Sequence, residues 1–171
     1  MAAWIVRALV LVAVIAAPLA APTPAVANQA AGSRNIVEQV EAHSRFNVFA
    51  RALAATRFGD VLASGGPYTV FAFTDQAFER LPDSFKDYLF SRQGNATLEQ
   101  VLGYHVIPGR AMSGDMFGRV YEVPTLDGHT LTIEGQMDFI RVNGSTILQP
   151  DIMAENGVIH LLDYVIIPPN F

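Results

Sequence analysis

The stretch GPYTVFAFTDQAF, residues 66–78, combines a turn, an apolar run and a helix start. Its opening Gly-Pro pair is typical of a turn. The run YTVFAF that follows, residues 68–73, is rich in β-branched and aromatic residues, which predicts a strand covered on both faces. Thr74 or Asp75 would then cap a short helix. This stretch therefore predicts a strand with both faces covered, and it contains no cysteine and no phosphate-binding loop.

Helical patterns dominate the chain on either side of this strand. Asn35 and Glu38 form a capping-box pattern that predicts a helix from residue 36. Apolar residues recur every three or four positions in FNVFARALAATRFGDVLAS, residues 46–64, which predicts one further helix. Downstream we expect a short helix from about Pro82 and another capped by Thr97.

The second half of the chain favours strands separated by turns. Asp127-Gly128 and Asn143-Gly144 are both typical hairpin turns. The apolar run GVIHLLDYVIIP, residues 157–168, closes the chain as a further strand. Because helices and strands are largely segregated along the sequence, we predict an α+β fold.

The first 27 residues have the pattern of a secretory signal peptide. Arg7 is followed by a short apolar run at 8–17 and by Ala25-Val26-Ala27, which suits a signal peptidase. An uncleaved N-terminal anchor is the alternative interpretation. We expect a linker over 28–34, a single domain over 35–171, and secretion or periplasmic export with no membrane span after cleavage.

Charge and cysteine content exclude several classes of protein. The chain has 11 basic and 16 acidic residues, and it contains no cysteine. Such an acidic balance argues against binding to nucleic acid or to anionic membranes, which require a basic patch. Without disulfides the stability must come from packing. We expect a domain that needs no cofactor and is a monomer.

Three motifs in order resemble those of the fasciclin domain family. TVFAFTDQAF (69–78) resembles the family's first signature box, YHVIPG (104–109) its Tyr-His motif, and NGVIHLLDYVIIP (156–168) its second box. Phe73 and Asp75 depart from the family's usual proline and asparagine. The resemblance implies N-terminal helices packed on a β-sandwich-like wedge of short strands. It also implies a secreted extracellular or envelope module for cell adhesion or for protein and matrix interaction, without enzymatic activity.

Histidines and serines are the candidates for chemistry. His105 and His160 lie in apolar stretches and are interpreted as core residues bonded to the backbone, whereas His129 is expected to be solvated. No zinc-type ligand spacing and no GxSxG motif occurs in the sequence. A Ser113–His105–Asp115 group is conceivable, so a small hydrolase using His105 is one alternative function. A carbohydrate-binding wall module is another.

One short stretch suggests a binding surface for an extracellular or envelope protein or a glycan. QPDIMAENG, residues 149–157, resembles the Asp-Ile motif of animal fasciclin proteins, so Asp151 and Ile152 are binding candidates on a predicted turn. In the alternative interpretation Asp151 caps a turn and Ile152 packs inward. Tyr104, expected to be partly exposed if its segment is extended, and His105 complete the candidate set. The Asp127-Gly128 tip is the second choice of surface.

Overall fold

The computed structural model describes residues 34–169, which form seven helices and seven strands. The predicted signal peptide and nearly all of the linker lie outside these residues. The helices are α1 Ile36–Ala42, α2 Asn47–Ala54, α3 Phe58–Ser64, α4 Asp75–Glu79, α5 Asp83–Leu89, α6 Asn95–Tyr104 and α7 Ser113–Met116. The strands are β1 Tyr68–Phe73, β2 Val106–Pro108, β3 Val120–Pro124, β4 Thr130–Gly135, β5 Ile140–Val142, β6 Ser145–Ala154 and β7 Gly157–Leu162. The predicted α+β class is confirmed.

All seven strands belong to one sheet with the order β2-β1-β7-β6-β5-β4-β3. β1 and β7 run parallel, from Tyr68 opposite Gly157 to Phe73 opposite Leu162. The other neighbouring pairs are antiparallel. The 68–73 strand therefore lies beside the strand that closes the domain.

Two hydrophobic cores cover the two faces of the β1–β7 pair. Val70 and Ala72 of β1 contact the helical core, together with Phe49 of α2. Phe71, which points to the other face, belongs to a second core under β4 and β5. Because successive strand residues alternate between faces, a strand between two cores is predominantly apolar. This explains the apolar run from Val70 to Phe73, and the buried Thr69 bonds the backbone of Gly109 and Ala111.

Two side chains near the end of β1 cap two different helices. Thr74 Oγ1 accepts a hydrogen bond from the backbone N–H of Ala77 in α4, at 3.0 Å. The Asp75 carboxylate accepts one from the N–H of Val48 in α2, at 2.8 Å. The open choice between Thr74 and Asp75 is thus resolved by a division of roles. The predicted capping box of α1 is confirmed by reciprocal bonds between Asn35 and Glu38.

Two helix predictions need correction. The expected single helix over 46–64 is two helices, separated at residues 55–57. The helix expected to be capped by Thr97 begins at Asn95, and Thr97 lies in its first turn facing the Tyr88 hydroxyl at 3.3 Å. Both differences concern helix ends, where local sequence signals are least distinct.

Asn156, in the turn between β6 and β7, fastens three other segments. Its side-chain nitrogen donates to the carbonyls of Leu62 and Gly65 at 2.6 and 2.7 Å. Its side-chain oxygen accepts from the N–H of Ile36 at 2.9 Å, and its backbone carbonyl accepts from the N–H of Tyr68 at 3.1 Å. The N-terminal helices are thereby attached to the start of the parallel strand pair.

Candidate interaction site

Asp151 lies inside β6, so the predicted turn around Pro150 is wrong. The pairing of β6 with β7 shifts register between Gln149 and Ile152, and Asp151 in that irregularity has φ of +58°. β5 pairs only with the first two residues of β6, which leaves this part of β6 with one unpaired edge. Proline is tolerated at such an edge because its missing N–H is not required there.

The carboxylate of Asp151 points inward to the start of α7. It accepts hydrogen bonds from the backbone N–H of Ser113, at 2.9 Å, and from the Ser113 hydroxyl. The carboxylate thus acts as a cap for a short helix that is distant in sequence. This arrangement agrees with the alternative interpretation, in which Asp151 has a structural role.

Ile152 is half-buried and packs against the helical core, opposite Ile159 of β7. On the same strand, Pro150 is exposed and Leu148 is 54% exposed. The accessible ridge of β6 therefore consists of Leu148 and Pro150, with Asp151 and Ile152 only partly accessible beside them.

His160 is buried behind Asp151 and connects two backbone segments. Its Nδ1 accepts from the N–H of Asp151 at 3.2 Å, and its Nε2 lies 2.9 Å from the carbonyl of Ala111. The ring stacks on Phe71 with the centroids 5.6 Å apart. Burial lowers the pKa of His160, so the ring is neutral and serves as a bridge.

His105 is fully buried at the end of α6. Its Nδ1 lies 2.6 Å from the carbonyl of Val101, and its Nε2 accepts from the N–H of Ile166 at 3.3 Å. Burial lowers its pKa to about 4. The predicted core role is confirmed. Since backbone groups occupy both ring nitrogens, and Ser113 bonds Asp151, this conformation holds no Ser113–His105–Asp115 triad.

Tyr104 is 2% exposed, so the expectation that it is partly exposed is wrong. The expectation assumed an extended segment, whereas Tyr104 is the last residue of α6. Its hydroxyl donates to the carbonyl of Thr130 at 3.1 Å and accepts from the side-chain nitrogen of Asn143 at 2.5 Å. Burial raises its pKa. Tyr104 and His105 thus lie beneath the surface, out of reach of a partner.

The Asp127-Gly128 tip is also not the open turn that was expected. The Asp127 side chain is 5% exposed and accepts hydrogen bonds from the Thr125 hydroxyl and the His129 backbone. His129 Nδ1 lies 2.7 Å from the same carboxylate, so His129 is half-buried rather than solvated. A side chain at Gly103 would contact Asp127, which shows how closely the tip packs on α6.

Residues 34–169 contain no group of three or more His, Cys, Asp or Glu that could hold a metal ion. Over the same residues, no helix is both long enough and apolar enough to cross a membrane. The surface instead carries shallow grooves. One groove of about 250 Å³ adjoins Leu148 and is lined also by Arg45, Asp75 and Gln76.

The family model for the fasciclin domain matches residues 44–168. The chain belongs to the fasciclin domain family. Protein sll1483 of Synechocystis sp. is 35% identical over 147 residues, which cover 85% of this chain and 81% of that protein. Human periostin is 34% identical over 138 residues, 80% of this chain but 16% of periostin.

A fasciclin domain pair from the insect cell adhesion molecule Fasciclin I has the same fold. Its TM-score is 0.72 at 17% sequence identity, over 81% of this chain and 52% of the pair. The predicted fasciclin fold, with helices packed on strands, is therefore confirmed. The seven strands of this chain form a single sheet.

Sequence reasoning missed the contacts that hold residues 110–113 against β1 and the C-terminal part of β6. Ser113, considered only as a nucleophile, is the donor to Asp151. Thr69 accepts from the N–H of Ala111 at 2.9 Å, and Arg110 donates to the carbonyls at residues 154 and 155. These contacts join residues about 40 positions apart, and no local pattern in the sequence identifies them.

Proposed function

We propose that this fasciclin domain is an exported, non-enzymatic module that binds an extracellular or envelope protein through its surface. The observation that supports this proposal best is that the polar side chains considered for catalysis are buried and bonded within the domain. The His105, His160 and Tyr104 rings are buried, and each bonds backbone or side-chain groups of the domain. What remains accessible is a set of open grooves and exposed apolar side chains. The solved neighbour belongs to a cell adhesion molecule, which agrees with such a role.

The binding surface we propose is the ridge of β6 at Leu148 and Pro150, with Asp151 and Ile152 at its side. Leu148 stands at the irregular part of the strand, next to the groove that contains Arg45. An exposed aliphatic side chain on a strand that is held in place by its pairing with β7 can bind with little loss of conformational freedom.

Beads coated with the secreted protein test the proposal in a binding assay with cells of the producing species. Beads with the unaltered protein should bind the cells, and Leu148→Ala with Pro150→Ala should reduce binding at least about tenfold if the ridge is the hot spot. The control variant is Asp60→Asn, an exposed change in α3. Equal binding by protein-coated beads and by beads coated with an unrelated acidic protein would contradict the proposal.

Export is the second part of the proposal and rests on Arg7, the apolar run and Ala25-Val26-Ala27. Intact-mass measurement of protein from the culture medium or periplasm should give a chain that starts at Asn28. Finding the protein in the cytoplasm with Met1 or its next residue at the start would refute export.

A further inference from the structure

β3 is the last strand of the sheet, and part of its outer edge is open. Arg119 accepts a hydrogen bond from the N–H of Gly135, and Thr125 donates to the carbonyl of His129. In an antiparallel pair the residues that bond to the neighbour alternate with residues whose backbone groups point away. The N–H and C=O groups of Val120 and Glu122 therefore point away from β4, and no strand of residues 34–169 lies beyond them.

The two ends of β3 differ. At the C-terminal end, Pro124 has no N–H, and the N–H of Leu126 donates to the carbonyl of Val106 in β2, at 2.9 Å. This contact brings the opposite edge of the sheet close to the end of β3. At the N-terminal end, an open groove of about 430 Å³ follows the strand. Any added strand must therefore pair with residues near Val120.

The open end of β3 carries exposed apolar side chains. Val120 is 68% exposed, Phe117 is 42% exposed, and Met137, in the turn after β4, is 94% exposed. Native sheets usually protect an edge with charged side chains or proline. Here Glu122 and Pro124 protect one end, whereas an aliphatic residue occupies the open end.

Two opposite charges line the groove beside this edge. The open groove is lined by Asp115, Arg119, Val120 and Tyr121. Neither Asp115 nor Arg119 takes part in any of the ion pairs found over residues 34–169. Both act on the hydroxyl of Tyr121, whose pKa is raised by burial, lowered by Arg119 and raised by Asp115. An edge with a free cation and a free anion a few residues apart is complementary to itself under a two-fold axis.

We propose that the open edge of β3 binds β3 of a second copy of this chain, antiparallel, with the two-fold axis at Val120. In this register Val120 lies opposite Val120 of the second copy, and the two residues exchange backbone hydrogen bonds. Arg119 lies opposite Tyr121 of the second copy, and its guanidinium enters the groove that contains Asp115. Glu122 lies opposite Gly118.

Charge excludes the register in which the axis passes through Glu122. That register would place the two Glu122 carboxylates directly opposite each other, which is destabilising. It would also require pairing at Pro124, where β2 already lies close. The axis at Val120 avoids both problems and covers the most exposed aliphatic residue of the strand. The proposed dimer differs from the monomer expected from the sequence, and it goes beyond the proposed function.

Single cysteines test the register, because the chain has no cysteine of its own. Opposite residues that exchange hydrogen bonds have Cα atoms about 5.5 Å apart, within the range for a disulfide. The two copies of residue 122 would be about 14 Å apart, since four residues separate them along the pair. Under mild oxidation Val120→Cys should therefore form a covalent dimer at least about tenfold faster than the matched variant Glu122→Cys.

A charge exchange tests the contacts in solution by sedimentation equilibrium. Arg119→Asp should reduce the dimer fraction, Asp115→Arg should do the same, and the double variant should restore it, with folding of each checked by circular dichroism. Equal disulfide rates for Val120→Cys and Glu122→Cys, or a wild-type protein that stays monomeric up to millimolar concentration, would overturn the proposal. Both experiments use purified protein alone, so their failure would leave the proposed binding to cells untouched.

Discussion

Strands at different positions in the sheet differ in how far they are buried. We call β1 and β7, which have a hydrophobic core against each face, the doubly covered side, and β3 the singly covered edge. Every residue of β1 except Tyr68 is buried, as is every residue of β7. β3, at the far edge, alternates between exposed and half-buried residues. The reason is the number of cores: β1 and β7 lie between two, whereas β3 covers only one. An apolar run thus indicates a strand with two covered faces, and alternation indicates a strand with one.

The comparison predicts its largest effect for the aromatic residues of β1. Phe71→Ala should lower the free energy of unfolding by about 3–5 kcal/mol, because it leaves a cavity next to His160 in a close-packed core. Urea denaturation followed by circular dichroism gives the value. A loss below about 1 kcal/mol would show that β1 is less tightly packed than the structure indicates.

The burial of His105 predicts that the free energy of unfolding depends on pH. The ring is neutral in the folded state with a pKa of about 4, whereas an unfolded histidine titrates near 6.5. Between these values the unfolded state binds more protons, so stability falls as the pH decreases. The contribution of the neutral His105 ring to stability is complete above the unfolded pKa, and about 3 kcal/mol of it is lost by pH 4.

Urea melts at a series of pH values can measure this slope. His105→Gln should have a shallower dependence of stability on pH than the wild-type protein, even though it is less stable at pH 7. Parallel curves for the two proteins would mean that His105 is not the group responsible. His160, whose pKa burial also lowers, should contribute in the same direction.

The contact between Asp151 and Ser113 connects the two sides and should have an intermediate effect. Asp151→Ala should cost about 1–2 kcal/mol, because it removes the cap of α7 and leaves the donors of Ser113 without their acceptor. A double-mutant cycle with Ser113→Ala measures their coupling. Strictly additive losses would separate the two residues energetically and return Asp151 to a role in binding alone.

The smallest effect is expected at the singly covered edge. Val120→Thr should change the free energy of unfolding of the monomer by less than about 0.5 kcal/mol, since the side chain is mostly in solvent. The measurement belongs at low protein concentration, where self-association does not contribute. A loss comparable to that of Phe71→Ala would remove the distinction between the two sides.

Local sequence signals predicted the doubly covered side well. The apolar run at 68–73 and the capping box at Asn35 follow from residues close together in the chain. The run at 157–168 predicted β7, although that strand ends at Leu162. Their physical basis is local: the alternation of side chains in a strand and the unsatisfied N–H groups at a helix start.

The candidate site was less predictable because its contacts are not local. Pro150 and Asp151 have the composition of a turn, and only the shifted pairing with β7 keeps them in a strand. The partial exposure of Tyr104 was expected on the condition that its segment is extended, whereas α6 continues to that residue. The acceptor role of Asp151 depends on Ser113, 38 positions away, and sequence patterns carry no information about such a pair.

The hydrogen bonds of Asn156 also affect the rate at which this residue deamidates. Asn156-Gly157 is an Asn-Gly pair, in which the glycine nitrogen can attack the asparagine side chain, expel ammonia and form a succinimide. In the folded domain both side-chain atoms of Asn156 are held by bonds to Ile36, Leu62 and Gly65. The attack requires those bonds to break, so folding slows deamidation at this position. Deamidation at Asn156 therefore occurs mainly in molecules that have unfolded.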